Sequence, residues 1–324
     1  MVQEKFIVSF NPGGISNRIK CLVSTQRLAK RGGRKLKLYW IKNNTCGANF
    51  SDLFKNNFNE LTPKELKKVN KKEVILYGAD ILEISDPPQK YLLSDTSRFL
   101  CFPGEIRNNF AKTFSDPKGN HLDFEFERIP KNLRKKILSH LNKIKPIKPI
   151  QNEVDRFTKK HNIKDVVGVH VRRDDFSVGV DELGKVSTDT KFFDKMDEIL
   201  KEKPDTKFLL CTDCQKTENK FSNKYSGKII TFQKKNRDRT SVINTQEGLI
   251  DLLLLSKTKQ ILGTYGSTFS ELAWWFGGCK SKIYMIKDDV LEEKYRFKKQ
   301  KLEKSIYMKF KRFIATLLGR NSRF

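Results

Sequence analysis

The 324-residue chain carries 65 Lys and Arg against 38 Asp and Glu, for a formal net charge of +27. That length suits two domains with real cores, and the 32% charged residues read as a solvated, lysine-rich surface. The most apolar run, residues 249–255, is broken by Asp251, so nothing approaches the roughly 18 apolar residues of a membrane span.

Residues 1–10 lack the apolar stretch of a signal peptide. Six cysteines, Cys21, Cys46, Cys101, Cys211, Cys214 and Cys279, do not make a disulfide scaffold in a chain this long. A reducing cytoplasm is the expected location. A first strand is expected over 5–10, followed by the loop Asn11-Pro-Gly-Gly14. Ile19, Leu22, Val23, Gln26 and Leu28 then recur on one face of a helix over 16–31, with Ser16 as N-cap and Gly32-Gly33 as its stop. Alternation over 35–41 predicts the next strand, so the opening is a βαβ unit and a parallel sheet. Strand signals recur at 74–77 and 91–93. The charged, proline-bearing run 143–149 predicts an exposed extended linker.

Beyond it a second α/β series is expected: helix 152–161, strand 166–171, helix 191–201, strands 207–212 and 228–232, helix 246–257, strand 260–264, helix 267–276 and strand 282–286. Apolar strands alternating with helices mark doubly wound sheets. The fold class is therefore α/β, with two Rossmann-like domains facing a cleft, residues 1–148 and 149–292, and a basic segment 293–324. No internal repeat is visible.

Several chemistries are excluded by pattern. There is no HExxH, no Asp-x-Asp, no G-x-S-x-G nucleophile elbow and no P-loop. Cys211 and Cys214 have CxxC spacing, but no second pair completes a zinc site. No metal is expected. Two stretches carry chemistry instead. In Val166-Val-Gly-Val-His-Val-Arg-Arg-Asp-Asp175 an apolar strand ends in two arginines and two carboxylates, where open α/β sheets bind ligands. The planar guanidinium suits a phosphate, although an ion pair capping the sheet explains the same residues. In the second stretch, 251–273, a strand enters Tyr265-Gly-Ser-Thr268 and a helix begins. Thr268 and Glu271 fit a capping box there, and the hydroxyl-bearing loop suits an anion. Asp251 lies within an apolar helical face, where an unpaired carboxylate is costly, so it should meet a base edge or a backbone donor.

Together these stretches resemble GDP-fucose-dependent fucosyltransferases of the core α1,6 and nodulation type. Val-His-Val-Arg-Arg-Asp-Asp is similar to that family's H-x-R-R-x-D strand, residues 208–213 resemble its strand ending in Thr-Asp, and residues 251–267 keep its spacing. Asn11-Pro-Gly-Gly-Ile-Ser-Asn-Arg18 resembles the family's G-G-x-x-N-[QR] opening. The likeness covers about residues 150–290 and that opening, while 42–145 match nothing in it. It implies a GT-B-like, inverting, metal-independent transfer of fucose from GDP-fucose, or alternatively of another sugar from another nucleotide sugar, to an oligosaccharide or glycoconjugate acceptor. It assigns residues 149–292 to the nucleotide sugar and residues 1–148 to the acceptor, with no cofactor beyond the donor. By the same likeness Arg172 holds the β-phosphate, with Ser267 and Thr268 beside it, and His170 and Asp251 hold the guanine. Gly14, Asn17 and Arg18 face the ligand from the opposite domain, and Arg173, Asp175 and Asp213 complete the binding set. The family's general base falls at Val180 by spacing, so a short insertion assigns it to Glu182 in preference to Asp181.

A chain of +27 also invites nucleic acid. Its lysines are dispersed and no nucleic-acid module is spelled out, so no nucleic acid is expected. From Lys294 to Phe324, eleven Lys and Arg stand against one acidic residue, Glu303. Phe297, Leu302, Ile306, Phe310, Phe313, Ile314, Leu317 and Leu318 recur among them at helical spacing. Such a segment either lies on an anionic membrane surface, making the protein peripheral, or packs back on the first domain.

Overall fold

The computed structural model describes residues 4–55, 58–69, 74–77, 90–96, 99, 129, 131–173 and 186–290. The first sheet contains β1 (Phe6–Ser9), β2 (Lys35–Leu38), β3 (Val74–Tyr77) and β4 (Tyr91–Ser94), all parallel, in the order β2-β1-β4-β3. Among the described residues, helices α1 (Ile15–Arg31), α2 (Pro63–Lys68), α3 (Lys131–Leu141) and α4 (Lys148–His161) accompany it. The second sheet contains β5 (Val167–Val171), β6 (Phe208–Thr212), β7 (Ile229–Ile230), β8 (Gln260–Thr264) and β9 (Lys282–Ile286), again all parallel, in the order β7-β6-β5-β8-β9. Its helices are α5 (Asp189–Glu202), α6 (Gln215–Lys224), α7 (Val242–Leu255) and α8 (Thr268–Phe276). The expected α/β class with parallel sheets is what forms. Residues 293–324 lie outside the described residues.

Period-2 alternation sorts the second sheet's side chains by face. Val167, Val169, Val171, Phe208 and Leu210 point to one side and pack with Phe192 and Met196 of α5 and Phe221 of α6. His170 and Cys211 take the opposite phase. On that side a single apolar core joins Ile19, Leu22 and Val23 of α1, Ile137 of α3, Val154 of α4, Leu249, Ile250 and Leu252 to Leu255 of α7, and Leu272, Trp274 and Trp275 of α8. Helices of both sheets thus share one core.

Several local expectations give way to this packing. The 143–149 segment is only in part an exposed linker: Lys143 and Lys145 are exposed, but Ile144 is buried, and Lys148 and Pro149 already belong to a helix. Lys55 N–H donates to the Lys145 carbonyl and Ile147 N–H to that of Leu53, so the segment is pinned to residues 53–55. Helix α4 accordingly starts at Lys148, with Pro149 in its first turn, where a missing N–H costs nothing. In α1 the N-cap is Gly14 and not Ser16, which is already inside the helix. Burial also reaches beyond one face of α1, taking in Arg18, Lys20 and Arg27.

The capping box at Thr268 and Glu271 does not form. Ser267 is the N-cap of α8, which puts Glu271 one position too far along to reach back. Glu271 instead forms a buried ion pair with Lys20 of α1, whose ammonium also lies 5.5 Å from the Phe99 ring centroid. A second junction is made of backbone. Gly47 N–H donates to the Arg239 carbonyl at 2.7 Å, and a Cβ at Gly47 would sit 2.1 Å from the Thr240 carbonyl.

Breaking a buried pair strands a charge. Lys20→Ala should therefore cost about 3–5 kcal/mol, read as a lower urea midpoint. Combining Lys20→Met with Glu271→Leu should restore most of that stability, because two apolar side chains of similar volume leave no charge behind.

Candidate active site

Parallel sheets bind ligands beyond the carboxyl ends of their strands, at the point where the strand order reverses. In the first sheet that point lies between β1 and β4. Asn11, just past β1, donates from Nδ2 to the Asp95 and Thr96 carbonyls just past β4, at 2.6 and 3.2 Å. Its Oδ1 accepts from Gly13 N–H at 2.8 Å. A Cβ at Gly13 would fall 2.8 Å from Asn17 Nδ2 and 2.9 Å from Asn11 Oδ1, so a side chain there would displace both amides. Arg18 holds the loop from beneath, donating to the Gly13 and Ile41 carbonyls and to Asn43 Oδ1 at 2.5, 2.6 and 2.9 Å. Asn43 and Thr45 donate in turn to the Pro12 carbonyl, at 2.7 and 2.8 Å. The result is a rigid turn that delivers the N-terminus of α1 to a cleft.

In the second sheet the switch point lies between β5 and β8. Thr264 ties the two strand ends: its hydroxyl accepts from Arg172 N–H and donates to the His170 carbonyl, both at 2.9 Å. Arg172 thereby reaches the cleft wall. His170 is buried, bonded through Nδ1 to Ser270 Oγ at 2.8 Å and stacked on Phe269 at 4.6 Å. Burial, with Arg172, Lys234, Arg239 and Arg173 nearby, pushes its imidazole well below the ordinary value, so it is neutral. The α8 N-terminus enters beside it. Neither α1 nor α8 has a side-chain cap, so their first N–H groups and positive dipole ends are left for an anion.

The third wall is the loop between β7 and α7. Arg237 donates to Gln215 Oε1 and Glu218 Oε2, both at 2.5 Å. Arg239 pairs with Asp213 at 2.7 Å. Asp238 accepts from the Thr240 hydroxyl and N–H, both at 2.7 Å, and from Asn244 Nδ2 at 2.9 Å, contacts that hold its carboxyl below the usual range. Lys234 crosses to α7, where its Nζ lies 2.5 Å from Asp251 Oδ2, and both side chains are only 6% exposed. Asp251 Oδ1 is buried without a hydrogen-bond partner, as is Asn17 Oδ1. These walls enclose a solvent-open cleft of about 900 Å³.

Of the residues singled out in the sequence, Gly14, Asn17, His170, Arg172, Asp213, Asp251 and Thr268 come together on this cleft. Arg18 does not. It is buried under the glycine loop, because its guanidinium serves backbone carbonyls there. Arg173 also turns away, its side chain paired with Asp189 at 2.5 Å and packed 5.9 Å from the Phe192 ring centroid. An ion pair therefore forms at Arg173, but with Asp189 of α5 and outside the 172–175 run in which the sequence pointed to one. Ser267 is buried next to Thr268, with its hydroxyl lacking a hydrogen-bond partner. Asp175, Asp181 and Glu182 lie outside the described residues. Sequence reasoning missed Lys234, Asn236, Arg237, Arg239 and Asn244. Their one signal was a polar run over 233–241 after a short strand, and polar loops are too common for that to single them out.

No protein-family model matches the chain, and no curated protein matches its sequence. Its three-dimensional structure does have counterparts. NodZ α-1,6-fucosyltransferase co-crystallised with GDP superposes with a TM-score of 0.53 at 14% identity, over 84% of this chain and 92% of that one. The chain has the fold of a fucosyltransferase. NodZ soaked with GDP-fucose gives a TM-score of 0.54 at 15% identity over the same shares, 84% and 92%. Arabidopsis thaliana FUT1 in complex with GDP gives 0.55 at 15%, over 87% of this chain and 70% of that one.

Arg18→Met keeps most of the buried volume but removes every donor under the loop. It should cost about 1–3 kcal/mol for each carbonyl left unsatisfied, seen as a lower melting temperature. Arg18→Lys should recover little of this, because an ammonium cannot span acceptors that a planar fork reaches together.

Proposed function

We propose that the protein is an inverting glycosyltransferase that moves fucose from GDP-fucose to a hydroxyl of a glycan acceptor. The observation that carries this reading is the pairing of an unpartnered buried carboxylate oxygen on Asp251 with a phosphate-suited wall in one cleft. A base presenting N–H donors fits the first. A diphosphate fits Arg172 and the two uncapped helix N-termini. The likeness of fold to proteins crystallised with GDP and soaked with GDP-fucose supports the same choice.

In this reading residues of the second sheet bind the nucleotide, in a GT-B-like arrangement. His170 and Phe269 pack beside the base, and Asp251 accepts its N–H edge. As the glycosidic C–O bond breaks, negative charge grows on the β-phosphate. Arg172 and the helix N-termini are already oriented toward it, so stabilising that charge costs no rearrangement and needs no metal. The acceptor hydroxyl attacks the opposite face of the anomeric carbon and loses its proton to a carboxylate. Glu182, or Asp181 beside it, is assigned that role. Asn17 and the first sheet face the acceptor.

A thermal-shift series tests the donor. GDP and GDP-fucose at about 100 times Kd should stabilise the protein by roughly 2.7 kcal/mol, and UDP should not. A shift with UDP alone would sink the assignment. Arg172→Lys should lose fucosyl transfer nearly as fully as Arg172→Ala, and EDTA should leave the wild-type rate unchanged.

A further inference from the structure

We propose that Lys234 is a positioning residue for base selection. Anchored on the Thr212 carbonyl, it holds one oxygen of Asp251 so that the carboxylate stays ionised and turned to receive two adjacent N–H groups of a guanine edge. The inference rests on the GDP reading above.

Lys234 Nζ donates to the Thr212 carbonyl at 2.9 Å and to Asp251 Oδ2 at 2.5 Å. It therefore joins the carboxyl end of β6 to α7 through one ammonium. Its own backbone is steadied next door, where Lys235 N–H donates to both oxygens of Glu247 at 3.2 and 3.3 Å. The sequence around Asp251 supplies no such restraint, since Leu249, Ile250 and Leu252 to Leu255 are all buried and apolar. An ionised carboxylate only accepts, so with Oδ2 fixed, Oδ1 and the remaining lone pair of Oδ2 face two donors side by side. Guanine offers N1–H and the 2-amino group in that arrangement, hypoxanthine offers N1–H alone, and adenine offers neither.

The charges around Asp251 point the same way. Burial raises its carboxyl, and Lys234 opposes that rise. Glu218 of α6 adds to the rise, while Arg237, already bonded to Glu218, offsets part of it. From β6, Cys211 places its thiol 3.7 Å from the Asp251 backbone carbonyl, and burial holds that thiol protonated. From β5, His170 is neutral. Among the described residues, Lys234 is the cation in direct contact with the carboxylate. Without it a proton takes its place, and the new O–H confronts the N–H donors of the base.

The sign follows from linkage. Guanine binds the ionised form, so affinity falls as pH drops through the carboxyl's pKa in the free protein, and removing Lys234 moves that fall upward. The test is calorimetric titration of the full chain with GDP and inosine diphosphate between pH 6 and 8.5, each variant read as a ratio to wild type so that ligand ionisation cancels. For Lys234→Met the GDP affinity ratio should fall by about tenfold per pH unit below the shifted pKa, and the preference for GDP over inosine diphosphate should shrink with it. Lys234→Arg should return both toward wild type. A Lys234→Met protein whose GDP affinity drops by a pH-independent factor, with the preference intact, would overturn the inference alone. Should Lys234→Met not fold, the neutral pair Lys234→Met with Asp251→Asn serves instead. It should bind GDP no more weakly than Asp251→Asn by itself, and a further additive loss would overturn the proposal. Wild-type GDP affinity in Asp251→Asn would remove the guanine reading and this inference with it.

Discussion

The buried pair between Lys20 and Glu271 is the contact on which the cleft depends. Each residue sits in the first turns of a helix whose N-terminus lines the cleft, α1 from the first sheet and α8 from the second. A charge in that apolar core cannot be left alone, so neither helix can shift along the other without stranding a lysine or a glutamate. The spacing of the two helix N-termini is thereby set from below. The close approach of Gly47 to Thr240 sets it from the side, because backbone meets backbone with no side chain to yield.

Above these contacts most of the charge in the cleft is already committed. Arg237 is bonded to Glu218, Arg239 to Asp213 and Lys234 to Asp251. The Thr264 hydroxyl holds the backbone of Arg172. Groups fixed before a ligand arrives need no reorganisation to meet it, and the buried ones among them, such as Lys234 and Asp251, are worth more than in water. The unpartnered Oδ1 atoms of Asp251 and Asn17 are what such a frame leaves for a ligand to satisfy.

Much of the second sheet was legible because its central strands β5, β6 and β8 are short, buried and largely apolar, and the residues between them carry helical spacing. The prediction for β8 matches the structure residue for residue, Gln260 to Thr264, since the polar run 256–259 precedes it and the Gly266 turn follows it. Local signals failed where a distant partner won. Ser16 has the chemistry of an N-cap, yet Gly14 takes that position because the Asn11–Arg18 network dictates where the chain turns. Glu271 has the spacing of a near-capping residue, yet it answers a lysine 251 positions away. Arg172 and Arg173 are alike in sequence and opposite in use, because adjacent residues at a strand end point to opposite sides and only one side has Asp189.

By itself the sequence determined the α/β class, the parallel sheets, the strand-end placement of His170 and Arg172, and the placement of Asp251 within a helix and of Thr268 at a helix start, since hydrophobic periodicity and turn residues act over a few positions. Only the tertiary structure decided which charges meet. Lys234 reaches Asp251, Arg239 reaches Asp213 and Lys20 reaches Glu271. The last pair is set by how helices of two sheets share one core, and the first two by how the loop before α7 folds over α7 and the end of β6. The cost of burying a charge depends on its neighbours in space, which no local pattern encodes.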